Sequence, residues 1–135
     1  MVRMPFKSLI ETLAAASETS VVLTDGTLEP PGPRILYVNA AFERMTGYKA
    51  KDVIGRDPRF LQGPGTSVAG RKRLAKALRE GTRCKVVLLN YRKSGEPYRC
   101  AIDLYPICNP AGGLLAAVAL EREVERKPGR PARQD

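Results

Sequence analysis

The sequence predicts an α+β domain in which a five-stranded antiparallel sheet carries its helices on one face. Three observations lead there. Two apolar runs near the N-terminus flank a Pro-rich loop, three more in the last third are separated only by turn residues, and segments with helical spacing lie between the two sets. With 135 residues, 43% of them apolar, the chain supports one domain with a core of its own. It divides into a helical extension at 1–19, a domain at 20–124 and a basic tail at 125–135 whose composition is that of disordered chain.

Taken in order, Phe6, Leu9, Ile10, Leu13 and Ala14 recur at helical spacing and predict an amphipathic helix over 5–17. Its stripe must cover either this domain's own sheet or a second copy. Ser20–Asp25 reads as a strand, residues 29–33 as a loop, and Arg34–Val38 as a second strand completing a hairpin. Asn39 is a suitable N-cap for a short helix through Phe42 and Met45, and Gly47 ends it in the left-handed conformation. Residues 49–54 form another short turn. Ser67–Glu80 is helical again, with Gly81 as its cap. Runs at about 82–92, 97–107 and 114–124, with turns at 93–96 and 109–113, make an antiparallel meander.

Composition excludes several classes of chemistry. The chain has no histidine, which removes Ser-His-Asp and Cys-His catalysis, histidine-ligated zinc and proximal-histidine haem. Cys84, Cys100 and Cys108 lack metal-ligand spacing, and their odd number argues against a disulfide framework, so a cytoplasmic setting is expected. No apolar run approaches a membrane span, and Lys7 and Glu11 interrupt any leader-like segment before Ala14. The formal charge of +9 favours anionic partners. For nucleic acid that charge is the only warrant, since no aromatic residues interleave the basic ones. The long helix carries Arg71, Lys72, Arg73, Lys76 and Arg79, either as a solvated face or as a source of phosphate contacts.

Strand parity sorts the sheet. Val86, Leu88 and Asn90 share one face, as do Cys100, Ile102 and Leu104, and then Leu115, Ala117, Ala119 and Glu121. If these face the helices, Asn90, Cys100 and Glu121 are polar or soft groups within an apolar layer. Buried polar groups need partners, either one another, water, or the edge of a polar ring. The opposite face, with Val87, Leu89, Tyr91, Tyr105, Val118 and Leu120, is apolar enough to expect a covering partner or the N-terminal helix.

The stretch Gly55–Thr66 is bounded by glycine and proline. Asp57 is a good N-cap, and Pro58 falls at the first helical position. Arg59 and Gln62, three apart, aim a cation and an amide the same way. This stretch is either a capped surface turn or a clamp for an anion plus a polyol or ring.

Tyr37-Val38-Asn39-Ala40-Ala41-Phe42, Thr46-Gly47-Tyr48 and Val53-Ile54-Gly55-Arg56 resemble PAS sensory domains. Residues 55–66 go further and resemble the Gly-Arg-Asn-Cys-Arg-Phe-Leu-Gln-Gly-Pro-x-Thr signature of LOV domains, the blue-light-sensing branch. The likeness continues through Leu89–Gly95 and covers roughly residues 20–121. It implies a PAS fold with a flavin between helices and sheet. By resemblance Arg59 binds the flavin phosphate, Gln62 the ribityl and phosphate region, and Asn90 the pyrimidine edge. Elsewhere the chain departs from the pattern. Asp57 replaces an asparagine, Pro58 stands at the reactive cysteine, Ala75 at a second phosphate arginine, Cys100 at a second pyrimidine-reading asparagine, and Glu121 at the strand glutamine near the flavin N5 and O4. Arg71 and Lys72, one turn before Ala75, offer compensation.

Loss of one charge-assisted hydrogen bond costs about 1.5–3 kcal/mol, so weakened flavin binding is expected. The resemblance thus implies a single-domain sensory protein, not an enzyme. It would hold FMN non-covalently, with riboflavin or FAD as alternatives, form no cysteinyl adduct and respond to flavin redox or photoreduction. It would signal as a homodimer, or to a protein partner, through the outer sheet face and N-terminal helix. The alternative is a flavin-free PAS dimerisation module.

Overall fold

The structure, a computed structural model, describes residues 5–30 and 32–125. Helix α1 (Pro5–Ala14) leads to the hairpin β1 (Ser20–Asp25) and β2 (Ile35–Val38). Helices α2 (Ala40–Thr46) and α3 (Ala50–Val53), a 3-10 turn (Pro58–Leu61) and helix α4 (Val68–Glu80) follow. Strands β3 (Cys84–Tyr91), β4 (Pro97–Cys108) and β5 (Leu114–Glu123) close the chain. All five strands form one antiparallel sheet in the order β2-β1-β5-β4-β3, which sets β5 at its centre. Five strands, antiparallel throughout and with helices on one face, are what the hydrophobic patterning predicts. The tail expected at 125–135 lies, from 126 onward, outside the described residues.

The helix boundaries follow the capping chemistry. The Asn39 side chain accepts from Phe42 N–H to start α2, and Gly47 ends it at φ +82°. Ser67 caps α4 through Gly70 N–H, and Gly81 ends that helix at φ +68°. The N-terminal helix stops at Ala14, short of the expected residue 17, and the Ala14 carbonyl, left without an intrahelical partner, accepts from Ser17 N–H and from the Asn39 amide. Its stripe is only partly covered. Ala14 is buried and Phe6 and Ile10 are half-buried, but Leu9 is 58% and Leu13 71% exposed.

The core lies between the sheet and α2–α4. Phe42, with no exposed surface, packs with Val22, Ile35, Val38, Val53 and Leu61 at one end. Val86, Leu88, Tyr98, Cys100 and Ile102 pack together on the β3–β4 side. Each buried side chain of this kind contributes on the order of 1.5–3 kcal/mol through its removal from water. On β3 the alternation is clean, with Val86, Leu88 and Asn90 buried and Lys85 and Val87 exposed.

The loop after β1 runs close to β5. A Cβ on Gly26 would lie 2.2 Å from the Leu114 carbonyl oxygen. Gly26→Ala must therefore push this loop off the start of β5, at an overpacking cost of about 1–3 kcal/mol. Urea denaturation should show a lower midpoint with an unchanged m-value. An unchanged midpoint would mean that the loop gives way freely.

Candidate functional site

A cavity of about 830 Å³ opens between the inner face of the sheet, α4, the 3-10 turn and the loop after β1. Its walls are apolar, with Val22, Leu61, Leu74, Leu88, Ile102 and Leu104 among them. Three buried polar side chains stand in this wall, Thr24 of β1, Asn90 of β3 and Glu121 of β5, the last two being the ones that matter for a ligand. Asn90 and Glu121 are buried, at 3% and 7% exposure, and Asn90 Oδ1 and Glu121 Oε1 have no hydrogen-bond partner. A cavity with apolar walls and a few unsatisfied, convergent polar groups is the usual form of a small-molecule site.

The solvent end is different. Asp57 accepts from Arg59 N–H at 2.9 Å, which starts the 3-10 turn, and from Arg59 Nε at 2.8 Å, which aims the guanidinium. Gly32, at φ +97°, allows the loop to pass this pair, since a Cβ there would meet Asp57 Oδ2 at 2.4 Å. Gln62 caps the end of the turn and lines the cavity beside them. From α4, Arg71, Lys72 and Arg79 reach the same opening, and Arg71 donates to the Thr66 carbonyl at 3.4 Å. Ala75 lies among these three on the cavity side of α4.

Of the six residues expected to bind a cofactor, the fold brings five to this cavity: Asp57, Arg59, Gln62, Asn90 and Glu121. Cys100, expected near the far edge of the ring, is not among the residues that line the cavity. It has the right parity and no exposed surface, but it pairs with Leu88 across β3 and β4 and packs into the cluster that Met45 of α2 covers. Burial pushes its thiol well above the usual range, with the nearby carboxylates of Glu121 and Glu123 adding to the effect, so it is an inert core group.

Two further polar groups belong to the neighbourhood. Ser20 sits directly opposite Glu121 on β1, and Tyr98 opposite Asn90 on β4, and both hydroxyls are buried without partners. Tyr98 shares the parity of Cys100 and could be read from it. Ser20 required the β1–β5 register. Desolvation alone drives the Glu121 carboxyl up to about 7, far from the ordinary carboxylate range. Among the described residues no group of His, Cys, Asp or Glu could hold a metal ion, and no helix is long and apolar enough to cross a membrane.

Fold and cavity together define a small α+β domain with an internal cavity, and comparison with known proteins places it. The PAS domain family profile matches residues 19–125, and the chain belongs to that family. Within it the chain is a LOV domain. It is 31% identical to the LOV domain of the Erythrobacter litoralis EL346 blue-light-activated histidine kinase, with a TM-score of 0.73 over 80% of this chain and 97% of that one. It is 36% identical over 120 residues to rice Phototropin-1A, covering 89% of this chain and 13% of the relative. A blue-light-activated histidine kinase of Brucella anthropi is 32% identical over 126 residues, 93% of this chain and 24% of the relative. The chain thus spans between about an eighth and a quarter of those two relatives. Their shared character is sensory signalling, and the domain is a sensor module.

Proposed function

We propose that the cavity holds a flavin mononucleotide non-covalently and that the domain signals without thiol addition to the ring. The residues present fit such a group. Asn90 and Glu121 offer hydrogen-bonding atoms that the protein leaves unsatisfied, the walls between them are apolar, and cations gather only at the solvent end, where a phosphate would sit. Bound flavin would supply light absorption and one- or two-electron redox chemistry. The chain's own contribution is to bind, orient and shield it. Arg59, held by Asp57, and Arg71, held by the Thr66 carbonyl, place guanidinium groups from two elements at the opening, which suits a terminal phosphate.

One observation carries the absence of thiol chemistry. Pro58 lines the cavity, whereas Cys84, Cys100 and Cys108 do not. Proline has no nucleophile to offer. The input is then the flavin's redox state or its light-driven reduction. The output runs through protein contacts, for which Leu9 and Leu13 of α1 and Val87 on the outer sheet face are among the exposed apolar groups, in a homodimer or with a partner.

The visible spectrum of the purified protein tests this. A structured band in the blue, released as free FMN on denaturation, is expected. A colourless protein that also ignores added FMN overturns it in favour of a flavin-free interaction module. Under blue light the yellow protein should show no thiol-dependent bleaching, and Pro58→Cys should acquire it. Bleaching in the unmutated protein would show that another sulfur reaches the ring.

A further inference from the structure

We propose that Glu121 binds the cavity's ring ligand in its protonated form, as a hydrogen-bond donor, so that ligand uptake brings one proton with it. This rests on the flavin reading and adds a selectivity rule: the wall at Glu121 favours a ring that presents an acceptor there.

Geometry is the first support. Glu121 lies on the central strand, flanked by Ile102 on β4 and Ser20 on β1, and its side chain is part of the cavity wall with Oε1 unpartnered. Among the described residues, no hydrogen bond or ion pair ties it to a cation. Arg73, Lys85 and Arg122 border a second pocket with Glu121, but Lys85 and Arg122 have the parity of the outer sheet face and Arg73 donates to the Lys85 carbonyl. On β4, Tyr98 and Cys100 are both kept neutral by burial. Further along β5, Glu123 is taken by Arg92 at 2.7 Å, and Arg92 also binds Glu96 and the Met45 carbonyl. On α2, the Glu43 carboxylate accepts from Ala50 N–H at 2.7 Å. The nearest strand neighbour able to accept or donate, Ser20, is uncharged, as is Asn90 of β3. The remaining charges of the cavity, Asp57 and Arg59 on the turn and Arg71, Lys72 and Arg79 on α4, line its solvent end.

A ring that fills the cavity displaces water from this wall. An ionised Glu121 would then face the ring with neither solvent nor a counter-ion, and would repel any carbonyl or imine nitrogen there. A protonated Glu121 donates to the same atom. Desolvation already holds the group up to about 7 before the ring arrives, and filling the cavity moves it further in the same direction. Linkage then fixes the sign. Below about pH 7 the proton is already in place and affinity is flat; above it, each pH unit should weaken binding about tenfold while the bound form stays protonated.

FMN titrations of the full chain from pH 6 to pH 9, followed by quenching of flavin fluorescence, test this. Wild type should weaken about tenfold per unit above pH 7. Glu121→Gln, whose amide donates at any pH, should lack that loss and bind more tightly than wild type at pH 9. Because FMN's own ionisations are common to both proteins, the ratio isolates residue 121. Independently of any variant, calorimetry at pH 8 in two buffers of different ionisation enthalpy should show about one proton taken up per FMN. Equal pH profiles for the two proteins, or no proton uptake, overturn the inference while FMN binding itself leaves the flavin reading standing. Absence of FMN binding at every pH removes both.

Discussion

Asn39→Ala should cost this protein about 4 kcal/mol of stability, because one side chain ties together three elements. The amide oxygen accepts from Val21 N–H of β1 at 2.9 Å and from Phe42 N–H of α2 at 3.1 Å. The amide nitrogen donates to the Ala14 carbonyl at the end of α1, at 3.0 Å, and to the Thr19 carbonyl, at 2.9 Å. Each such bond contributes on the order of 1 kcal/mol net, and alanine leaves backbone groups in a buried region with no replacement. The site is 3% exposed, so water is slow to help. Chemical denaturation should show the loss directly. Asn39→Ser separates the parts: a serine still caps α2 but cannot reach both carbonyls, so it should recover only about 1 kcal/mol while α1 is cleaved faster by protease than in wild type. A loss below 1 kcal/mol for Asn39→Ala would show that α1 and α2 are held by packing alone.

The same residue shows how far sequence reading extends. Its N-cap role is visible because capping is local, three residues to Phe42. Its bonds to Val21, Thr19 and Ala14 span 18 to 25 residues and become visible only when the chain folds. The sheet behaves alike. Period 2 assigns Asn90, Cys100 and Glu121 to the inner face, and all three are buried there. Parity does not say which inward residue meets a cavity and which meets packed core. That depends on which strands are neighbours, and the order β2-β1-β5-β4-β3 has no local signal. The consequence is that Cys100 lies under Met45 whereas Glu121 faces the opening beneath α4. The turn at 57–62 was legible in chemistry and place, since Asp57, Pro58 and Arg59 act on one another within two residues. The cations of α4 were legible only as a cluster. Of the five, Arg71, Lys72 and Arg79 turn to the cavity.

The second large effect runs in the opposite direction. Glu121→Gln should stabilise the ligand-free protein by about 3 kcal/mol at pH 8 and by nothing at pH 4. Burial raises this carboxyl from 4.5 to about 7. Between those values the folded protein keeps a proton that the unfolded chain releases, so the wild-type stability falls as pH rises from about 4.5 to about 7 and is level above it. A shift of this size corresponds to about 3 kcal/mol. Glutamine fills the same space without ionising, and every other titrating group is common to the two proteins. The stability difference between them, measured by denaturation across this range, should therefore open with the midpoints that the two values set. A difference independent of pH would mean that water reaches the carboxyl and that its burial carries no charge penalty. The result also bears on the ligand. A ring that packs on the same wall starts from this already raised carboxyl, so at pH 8 it must overcome about one further pH unit, on the order of 1.4 kcal/mol, to bind Glu121 protonated. A protein that shows the stability crossover must therefore show pH-linked uptake of any ring that excludes water from Glu121. One that shows the crossover but flat FMN affinity holds its ligand away from β5.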